Sequence, residues 1–469
     1  MEKKKIERVE LMVLNRPGVL GSLVGHIRRE GWNIKRLFVD ETEKSEISHM
    51  EIDIEGVHTK LAQVIDRALQ LDSVVSVSMT VNGEKIVRRR AYKEPKEAAA
   101  ASAEAIPAPL KGEGVLRVLT INPGSTSTKF AVYDDETVIL TQILRHDKEQ
   151  LAEYASILDQ KEFRKACILS FLRQAGVSVE SLDAVSGRGG LLKPVESGTY
   201  LINDAMLADL QSATAAIHAS ALGAIIAAEI ARDLSVPAYV VDPIVVDEMD
   251  RNAKLTGMPG IERSSVFHAL NQKAVTRRLA EKIGKPYENL RLIVAHLGGG
   301  ITVGAHRYGR VIDVNDALSG EGAFTPERSG GIPAIPLINM CFSGEYTQQE
   351  MMDKVSKRGG MLAYLGTNDL RSVQKMINEG DEFAALVLDS MAYQVSKEIG
   401  AMAAVLEGLA DGIVLTGGLA HSNRFTGAIK QRVDKLAPVY VFPGEDEMLA
   451  LVSGALRVLR GEELAARYE

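Results

Sequence analysis

A strand, a glycine turn and a second strand occur twice in this chain of 469 residues, about 175 residues apart. In the first copy the apolar run Val115–Ile121 leads into Asn122-Pro123-Gly124-Ser125-Thr126-Ser127-Thr128-Lys129, and Phe130–Tyr133 follows. In the second, Leu292–His296 leads into Leu297-Gly298-Gly299-Gly300, and Ile301–Ala305 follows. The chain then turns through Tyr308-Gly309 into Arg310–Val314. Two similar halves facing one another across a cleft suit clamping and closure on a ligand. Turns made of glycines and hydroxyls surround phosphate oxygens with backbone N–H groups, and Lys129 adds charge. Taken alone, the 122–129 turn fits a plain β-hairpin equally well. A third glycine turn, Leu415-Thr416-Gly417-Gly418-Leu419-Ala420, follows the apolar strand Gly412–Leu415. No Walker A string, dinucleotide fingerprint or protein-kinase signature is present.

Composition divides the rest. Residues 85–114 are rich in Ala, Pro and charge and read as a linker, with a surface helix as the alternative. This sets three parts: 1–84, a linker at 85–114, and 115–469. In the first part, strand-like alternation at Glu7–Leu14, Asn33–Asp40, Ile47–Ile54 and Val74–Val81 is interleaved with two helical stripes. One stripe is Leu20, Leu23, Val24 and Ile27, the other Leu61, Val64, Ile65 and Ala68. The order β-α-β-β-α-β predicts a ferredoxin-like α+β sheet of four strands with two helices on one face. With 55 basic against 62 acidic residues, a net charge of −7 argues against nucleic acid as a partner. No apolar run reaches the roughly 20 residues that span a bilayer, so no membrane partner is expected. The start lacks a signal-peptide pattern, and Cys167 and Cys341 lie far apart without metal spacing, which points to the cytoplasm.

The run from Leu11 to Asp53 resembles ACT domains, most closely those of acetolactate synthase regulatory subunits. That resemblance implies an amino-acid effector held at the turn Asn15, Gly18 and Val19 where two copies meet, or a dimerisation domain without ligand. Residues 115–460 carry INPGSTSTKFAVYDDE, SGRGGLLKPVESGTYLIN, VVDPIVVDEM, VFHALNQKAV, AHLGGGITVGAHRYGRVIDVNDALSGEG and FTPERSGGIP. These motifs resemble butyrate kinase, in the acetate kinase family. The implied fold class is an α/β, two-lobed, actin-like ATPase core (a duplicated ribonuclease H-like unit). The implied reaction is butanoate + ATP = butanoyl phosphate + ADP, with Mg2+, in a homodimer or higher homo-oligomer. Propanoate, isobutanoate or another branched short-chain acid is the alternative substrate, and a non-catalytic amino-acid or nucleotide sensor the alternative class.

The chemistry sets the requirements. A fatty carboxylate, with a pKa near about 4.3, is already ionised at neutral pH and needs no general base. The difficulty is charge, so arginines, a neutral or cationic donor and a metal are needed. By resemblance Arg188 and Arg328 hold the carboxylate and the moving phosphoryl group. Asn122 positions phosphate or metal. Asp242 is a catalytic carboxylate holding Mg2+, or simply the cap before Pro243. His268 donates to the phosphoryl group, and His218 and His296 follow it in rank, His218 as a substrate contact. Gly124, Ser125, Ser127, Lys129, His296, Gly298, Gly299, Gly300, Gly417 and Gly418 are expected around the nucleotide. Glu447 is expected near the metal, although the adjacent Glu445 and Asp446 leave that alignment ambiguous.

Overall fold

The computed structural model describes residues 5–14, 33–41, 47–56, 74–81, 84–89, 111–212 and 219–469. They fall into two units, Met1–Ala101 and Ser102–Glu469.

The first unit is an antiparallel sheet of β1 (Lys5–Leu14), β2 (Asn33–Glu41), β3 (Ile47–Gly56), β4 (Val74–Val81) and β5 (Glu84–Arg89), in the order β2-β3-β1-β4-β5. Alternation on β1 sends Val9, Leu11 and Val13 inward. Arg8 and Arg36, on the other face, flank the Asp53 carboxylate at 2.8 Å each. Two expectations are corrected. The sheet has five strands, not four, and β5 takes residues 84–89, of which composition assigned 85–89 to the linker. An edge strand is held by backbone pairing and tolerates lysines and arginines, so a charged composition hides it. The two helical stripes and Asn15, Gly18 and Val19 lie outside the described residues.

The second unit holds two sheets. The first contains β6 (Arg117–Pro123), β7 (Ser127–Asp134), β8 (Thr137–Arg145), β9 (Ala184–Gly187), β10 (Thr199–Leu201) and β11 (Ala238–Val241). The second contains β12 (Arg291–Leu297), β13 (Ile301–Arg307), β14 (Arg310–Val314), β15 (Gly412–Gly417) and β16 (Val439–Pro443). β17 (Ala466–Arg467) returns to the first sheet, whose order is β17-β10-β11-β9-β6-β7-β8; the second is β14-β13-β12-β15-β16. Each opens with an antiparallel meander and adds parallel strands to its first member, so the duplication seen in the sequence is one of topology. β6 and β12 are buried along most of their length and carry apolar side chains on both faces, because both faces are covered. Leu119 and Ile121 pack toward α1 (Lys161–Gln174) and α2 (Ala221–Leu234), whereas Val118 packs toward the late helix α5 (Glu447–Leu459). On β12, Ile293 and Ala295 join the core of the 24-residue α4 (Glu382–Val405), and Leu292 and Val294 that of α3 (Ala269–Ile283). Each such buried side chain contributes about 1.5–3 kcal/mol. α3 leads into the second sheet, and α5 leads back out of it onto the first. The candidate site is built where these two helices begin. Among the described residues, no helix is long and apolar enough to cross a membrane, and both cysteines are free.

Candidate active site

Asn122 lies one residue before the end of β6, opposite Lys129 on β7. The intervening turn is closed by the Gly124 N–H donating to the Ser127 carbonyl at 2.8 Å, with Ser125 and Thr126 exposed. Beneath it lies Arg164 of α1, 0% exposed. Its guanidinium donates to the carbonyls of Gly124 (2.9 Å), Ser125 (2.9 Å) and Ser127 (2.8 Å), and to Thr128 Oγ1 (3.1 Å). Those carbonyls are therefore turned inward, and a positive charge sits under a turn expected to face phosphate. Thr128, having accepted from Arg164, has its own hydrogen to give to His146 Nε2 at 2.8 Å. Burial, with the Arg164 charge beside it, pushes His146 down to about 4. Sequence reasoning missed Arg164, since nothing in the helix KEFRKACILSFLRQ marks that arginine apart from its neighbours.

Arg188 follows β9 within Ser186-Gly187-Arg188-Gly189-Gly190. The flanking glycines allow close backbone approach, and the partner is α2. A Cβ on Gly187 would stand 2.2 Å from the Gly223 carbonyl oxygen, and one on Gly223 would stand 2.6 Å from that of Arg188. The Arg188 side chain pairs with Glu447, whose other oxygen accepts from Asn122 Nδ2. Glu447 is the first residue of α5, so of the three acids in the run it is the one brought to Asn122 and Arg188. Glu445 goes elsewhere, with Oε1 3.1 Å from His296 Nε2. That contact is close but off the hydrogen-bonding direction, because His296 Nε2 has no aligned partner. The His296 interaction holds the Glu445 carboxyl below its usual range, helped by the charges of Arg188 and Lys129.

Gly417 makes this convergence possible. Its φ is +91°, and a Cβ would lie 2.4 Å from the Leu297 carbonyl oxygen. Gly417 and Gly444 exchange backbone hydrogen bonds at 3.1 and 3.0 Å, which sets Glu445–Glu447 beside the 297–300 turn. Gly418 opens the next turn with free space around it.

In that 297–300 turn the Gly298 N–H donates to the Gly300 carbonyl at 3.1 Å, and the Gly299 carbonyl accepts from Thr325 Oγ1 at 2.7 Å. A Cβ on Gly299 would meet nothing, whereas one on Gly298 would press on His296 and Glu445. The rings of His268 and His296 stack with centroids 3.8 Å apart and planes 9° from parallel. His296 Nδ1 bonds Asn271 Oδ1 at 2.8 Å, and His268 Nδ1 bonds Thr302 Oγ1 at 2.9 Å. Burial pushes His268 well below the usual histidine range, and the charges of His296, Arg188 and Arg328 add to the shift. His268 is thus a neutral ring between cations.

Arg328 completes the group. Thr325 Oγ1 accepts its backbone N–H at 3.0 Å. Its guanidinium lies over Gly300 with no hydrogen bond or ion pair to any described residue, and its Nε is a buried, unpaired donor. Burial lowers its pKa, although an arginine remains charged. A half-buried guanidinium without an anion costs free energy, which an anionic ligand would return.

Asp242 is held by partners of its own. It directly follows β11 as expected, with φ +38°, and its carboxylate, 1% exposed, is occupied by protein. Oδ1 accepts from Ser197 Oγ (2.6 Å) and the Gly198 N–H (2.9 Å), and Oδ2 from Arg277 of α3 (3.2 Å). Burial pushes its pKa up, but the charges of Arg277 and Lys273 outweigh it and the group stays below the usual carboxylate range. It makes no hydrogen bond or ion pair to the other expected site residues, and with Asn271, Arg277, Thr416 and Phe442 it lines a cavity of about 550 Å³. It thereby ties the end of the first sheet to α3. Glu447 and Asp242 are the two carboxylates expected at a metal, and such an ion takes one or two carboxylates together with phosphate and water oxygens; each of the two is held by protein partners here. Among the described residues no three His, Cys, Asp or Glu side chains form a metal cage. His218 lies outside the described residues.

Comparison with known proteins agrees with this architecture. Residues 252–436 match the acetokinase family, and residues 9–76 match the AHAS small subunit-like ACT domain. The first match includes His268, the 297–300 turn, Arg328 and Gly417, and leaves Asn122, Arg188 and Glu447 outside it. Among solved structures, acetate kinase from Porphyromonas gingivalis is similar at 21% identity and TM-score 0.62, over 73% of this chain and 100% of that one. A propionate kinase from Francisella tularensis is similar at 20% identity and TM-score 0.57, over 72% and 98%. Acetate kinase from Entamoeba histolytica is similar at 19% identity and TM-score 0.60, over 72% and 99%. At these identities the likeness is one of fold. The chain thus carries a match to the acetokinase family within its second unit and a match to the AHAS small subunit-like ACT domain within its first, and its α/β fold is similar to that of acetate and propionate kinases.

Proposed function

We propose that the second unit catalyses ATP-dependent phosphorylation of a short-chain fatty acid, butanoate + ATP = butanoyl phosphate + ADP. The observation that carries this reading is the Arg328 guanidinium, buried without an anion at Gly300 and close to the neutral His268 and to Arg188. A carboxylate attacking a γ-phosphoryl group brings two anions together, and this cluster supplies cations and a neutral donor but no base. None is required, because the carboxylate oxygen forms the new P–O bond, the bond to the bridging oxygen breaks, and no proton is exchanged. Arg328 and Arg188 hold the acid and the moving phosphoryl group, and His268 donates a hydrogen bond to the latter. The 123–127 turn, with Arg164 beneath it, and the 297–300 turn offer N–H groups to the phosphates. Mg2+, when bound at Glu447, neutralises phosphate charge.

Butanoate is preferred here on motif resemblance. One methylene in an apolar pocket is worth only about 1–3 kcal/mol, so propanoate or a branched acid is the near alternative. The ACT domain match supports an amino-acid effector acting on this activity. The helix Ala334–Cys341, which buries none of its residues and exposes Ile335 and Ile338, supports association with a second copy, which sedimentation checks directly.

Hydroxylamine trapping tests the reaction. The purified chain is incubated with ATP, Mg2+ and each of a set of C2–C5 acids, with and without valine, isoleucine or threonine. Hydroxamate formation greatest with butanoate is expected. No hydroxamate from any acid would overturn the kinase reading in favour of a sensor.

A further inference from the structure

A buried line of hydrogen bonds runs from His268 through Thr302 and Gln272 to His306 and Tyr287, and its polarity can be read atom by atom. The Thr302 backbone carbonyl only accepts, so Gln272 Nε2, 3.1 Å away, faces it and donates. The same nitrogen donates to Thr302 Oγ1 at 3.0 Å. Gln272 Oε1 then points the other way and only accepts, so His306 Nε2, 2.9 Å from it, carries a hydrogen. Burial, aided by the charges of Lys273 and Arg277, pushes His306 well below the usual histidine range. Its ring is neutral and its Nδ1 bare, and that atom receives the Tyr287 hydroxyl hydrogen at 2.7 Å. Burial in turn raises Tyr287, so the phenol keeps its proton.

The consequence falls on Thr302. Its Oγ1 accepts from Gln272, and its other hydrogen-bond partner among the described residues is His268 Nδ1, 2.9 Å away. The single hydroxyl hydrogen is left for that nitrogen. The fold makes room for this arrangement at Gly304 on β13, where a Cβ would lie 2.7 Å from Gln272 Oε1. Gln272, Thr302 and His306 are each 0% exposed, and polar groups so buried are tolerated when every donor finds an acceptor.

We propose that Thr302, Gln272, His306 and Tyr287 are positioning residues that fix His268 in its Nε2–H tautomer, so that a neutral ring presents an N–H donor to the transferring phosphoryl group. His268 Nε2, on the edge away from Thr302, has no partner among the described residues. Without the line, a neutral imidazole would divide between two tautomers, and the Nδ1–H form would aim a lone pair at phosphoryl oxygens. A charged imidazolium would donate as well, but it would lie stacked on His296 and close to two guanidiniums. What the N–H meets rests on the carboxylate kinase reading; the tautomer itself does not.

The experiment has two independent arms. Histidine-selective 15N labelling of the full chain, with the His268 signal assigned by its loss in His268→Gln, gives the tautomer from the pattern of one-bond and long-range 15N–1H couplings. Nε2–H is expected at neutral pH, and an Nδ1–H ring or an imidazolium would overturn the proposal whether or not the chain is a kinase. In the second arm, Thr302→Val is expected to lower kcat about tenfold with the KM for ATP within twofold of wild type, and Thr302→Ser to restore it. Wild-type kcat in Thr302→Val, with its coupling pattern unchanged, would remove the line from the mechanism. Failure of the kinase reading would show differently, as absence of acyl phosphate in the wild type.

Discussion

The guanidinium of Arg328 and the bare backbone of Gly300 occupy one another's space: a methyl group on Gly300 would stand 2.1 Å from Arg328 Nη1 and 3.3 Å from His268 Cε1. Gly300→Ala must displace a charged group by an ångström or more, and misplacement on that scale costs about 100-fold in rate. Gly299→Ala, one residue away, meets nothing. The pair is expected to separate cleanly in a hydroxamate assay, with the first substitution inactive or nearly so and the second close to wild type, both folded by circular dichroism.

Arg328 also predicts opposite signs for activity and stability. Its buried Nε lacks a partner, so Arg328→Met removes an unpaired cation from the protein. Its melting temperature is expected to equal or exceed that of wild type while kcat falls by about 100- to 1,000-fold. Arg188→Ala, in contrast, frees Glu447 of its partner and is expected to lose both. A destabilised Arg328→Met with normal kcat would count against any catalytic role for that residue.

Arg164 is expected to act on nucleotide affinity through the turn it holds. Arg164→Met takes the Arg164 donor from the carbonyls of Gly124 and Ser125, at about 1–3 kcal/mol each if neither relaxes, and leaves Ser127 with the Gly124 N–H alone. The expected result is a markedly lower urea midpoint and a several-fold higher KM for ATP, with Arg164→Lys intermediate. Steady-state kinetics beside an unfolding curve checks both.

His146 makes stability depend on pH. Its folded value of about 4 lies below the ordinary 6.5, so the unfolded chain takes up the proton first. The neutral ring's contribution is therefore complete above pH 6.5 and is lost as pH falls toward 4, at most about 3 kcal/mol from this group. Urea unfolding at several pH values should show a shallower acid loss in His146→Gln than in wild type.

Asp242→Asn is expected to be a stability variant. Leaving Arg277 beside a neutral amide breaks a buried pair, a change that typically costs about 3–5 kcal/mol. A normal melting temperature with abolished kcat would place Asp242 in the catalytic group instead.

Legibility from sequence followed physical distinctiveness. The turns at 122–129 and 297–300 could be read because apolar strands broken by glycines and hydroxyls have few alternative structures. Arg188 stood out through Gly187 and Gly189; Gly187 allows the close approach to α2, and Gly189 makes room for Val240. Asp242 was placed correctly at a strand end, yet its partner Arg277 lies 35 positions along the chain and cannot be inferred from a local motif. Glu445, Asp446 and Glu447 were indistinguishable until the Gly417–Gly444 pairing and the start of α5 gave each a direction. β5 was hidden by its charge, and Arg164 by being one cation among several on an ordinary helix.

The last helix and strand have a consequence for the order in which this protein can form. The first sheet of the second unit is assembled from residues 117–241, but its inner face is covered by α5, and its edge strand β10 is paired by β17. Tyr468 is tied there too, its hydroxyl donating to Asp209 and accepting the Lys193 N–H. A ribosome therefore delivers the half-built first lobe long before the segment that seals it. Until residue 468 has emerged, that lobe carries an open edge and an uncovered apolar face, a state prone to aggregation or chaperone capture. Maturation of both lobes is thereby tied to a single late event, and a nascent chain stalled short of α5 would hold neither a finished first lobe nor a finished site.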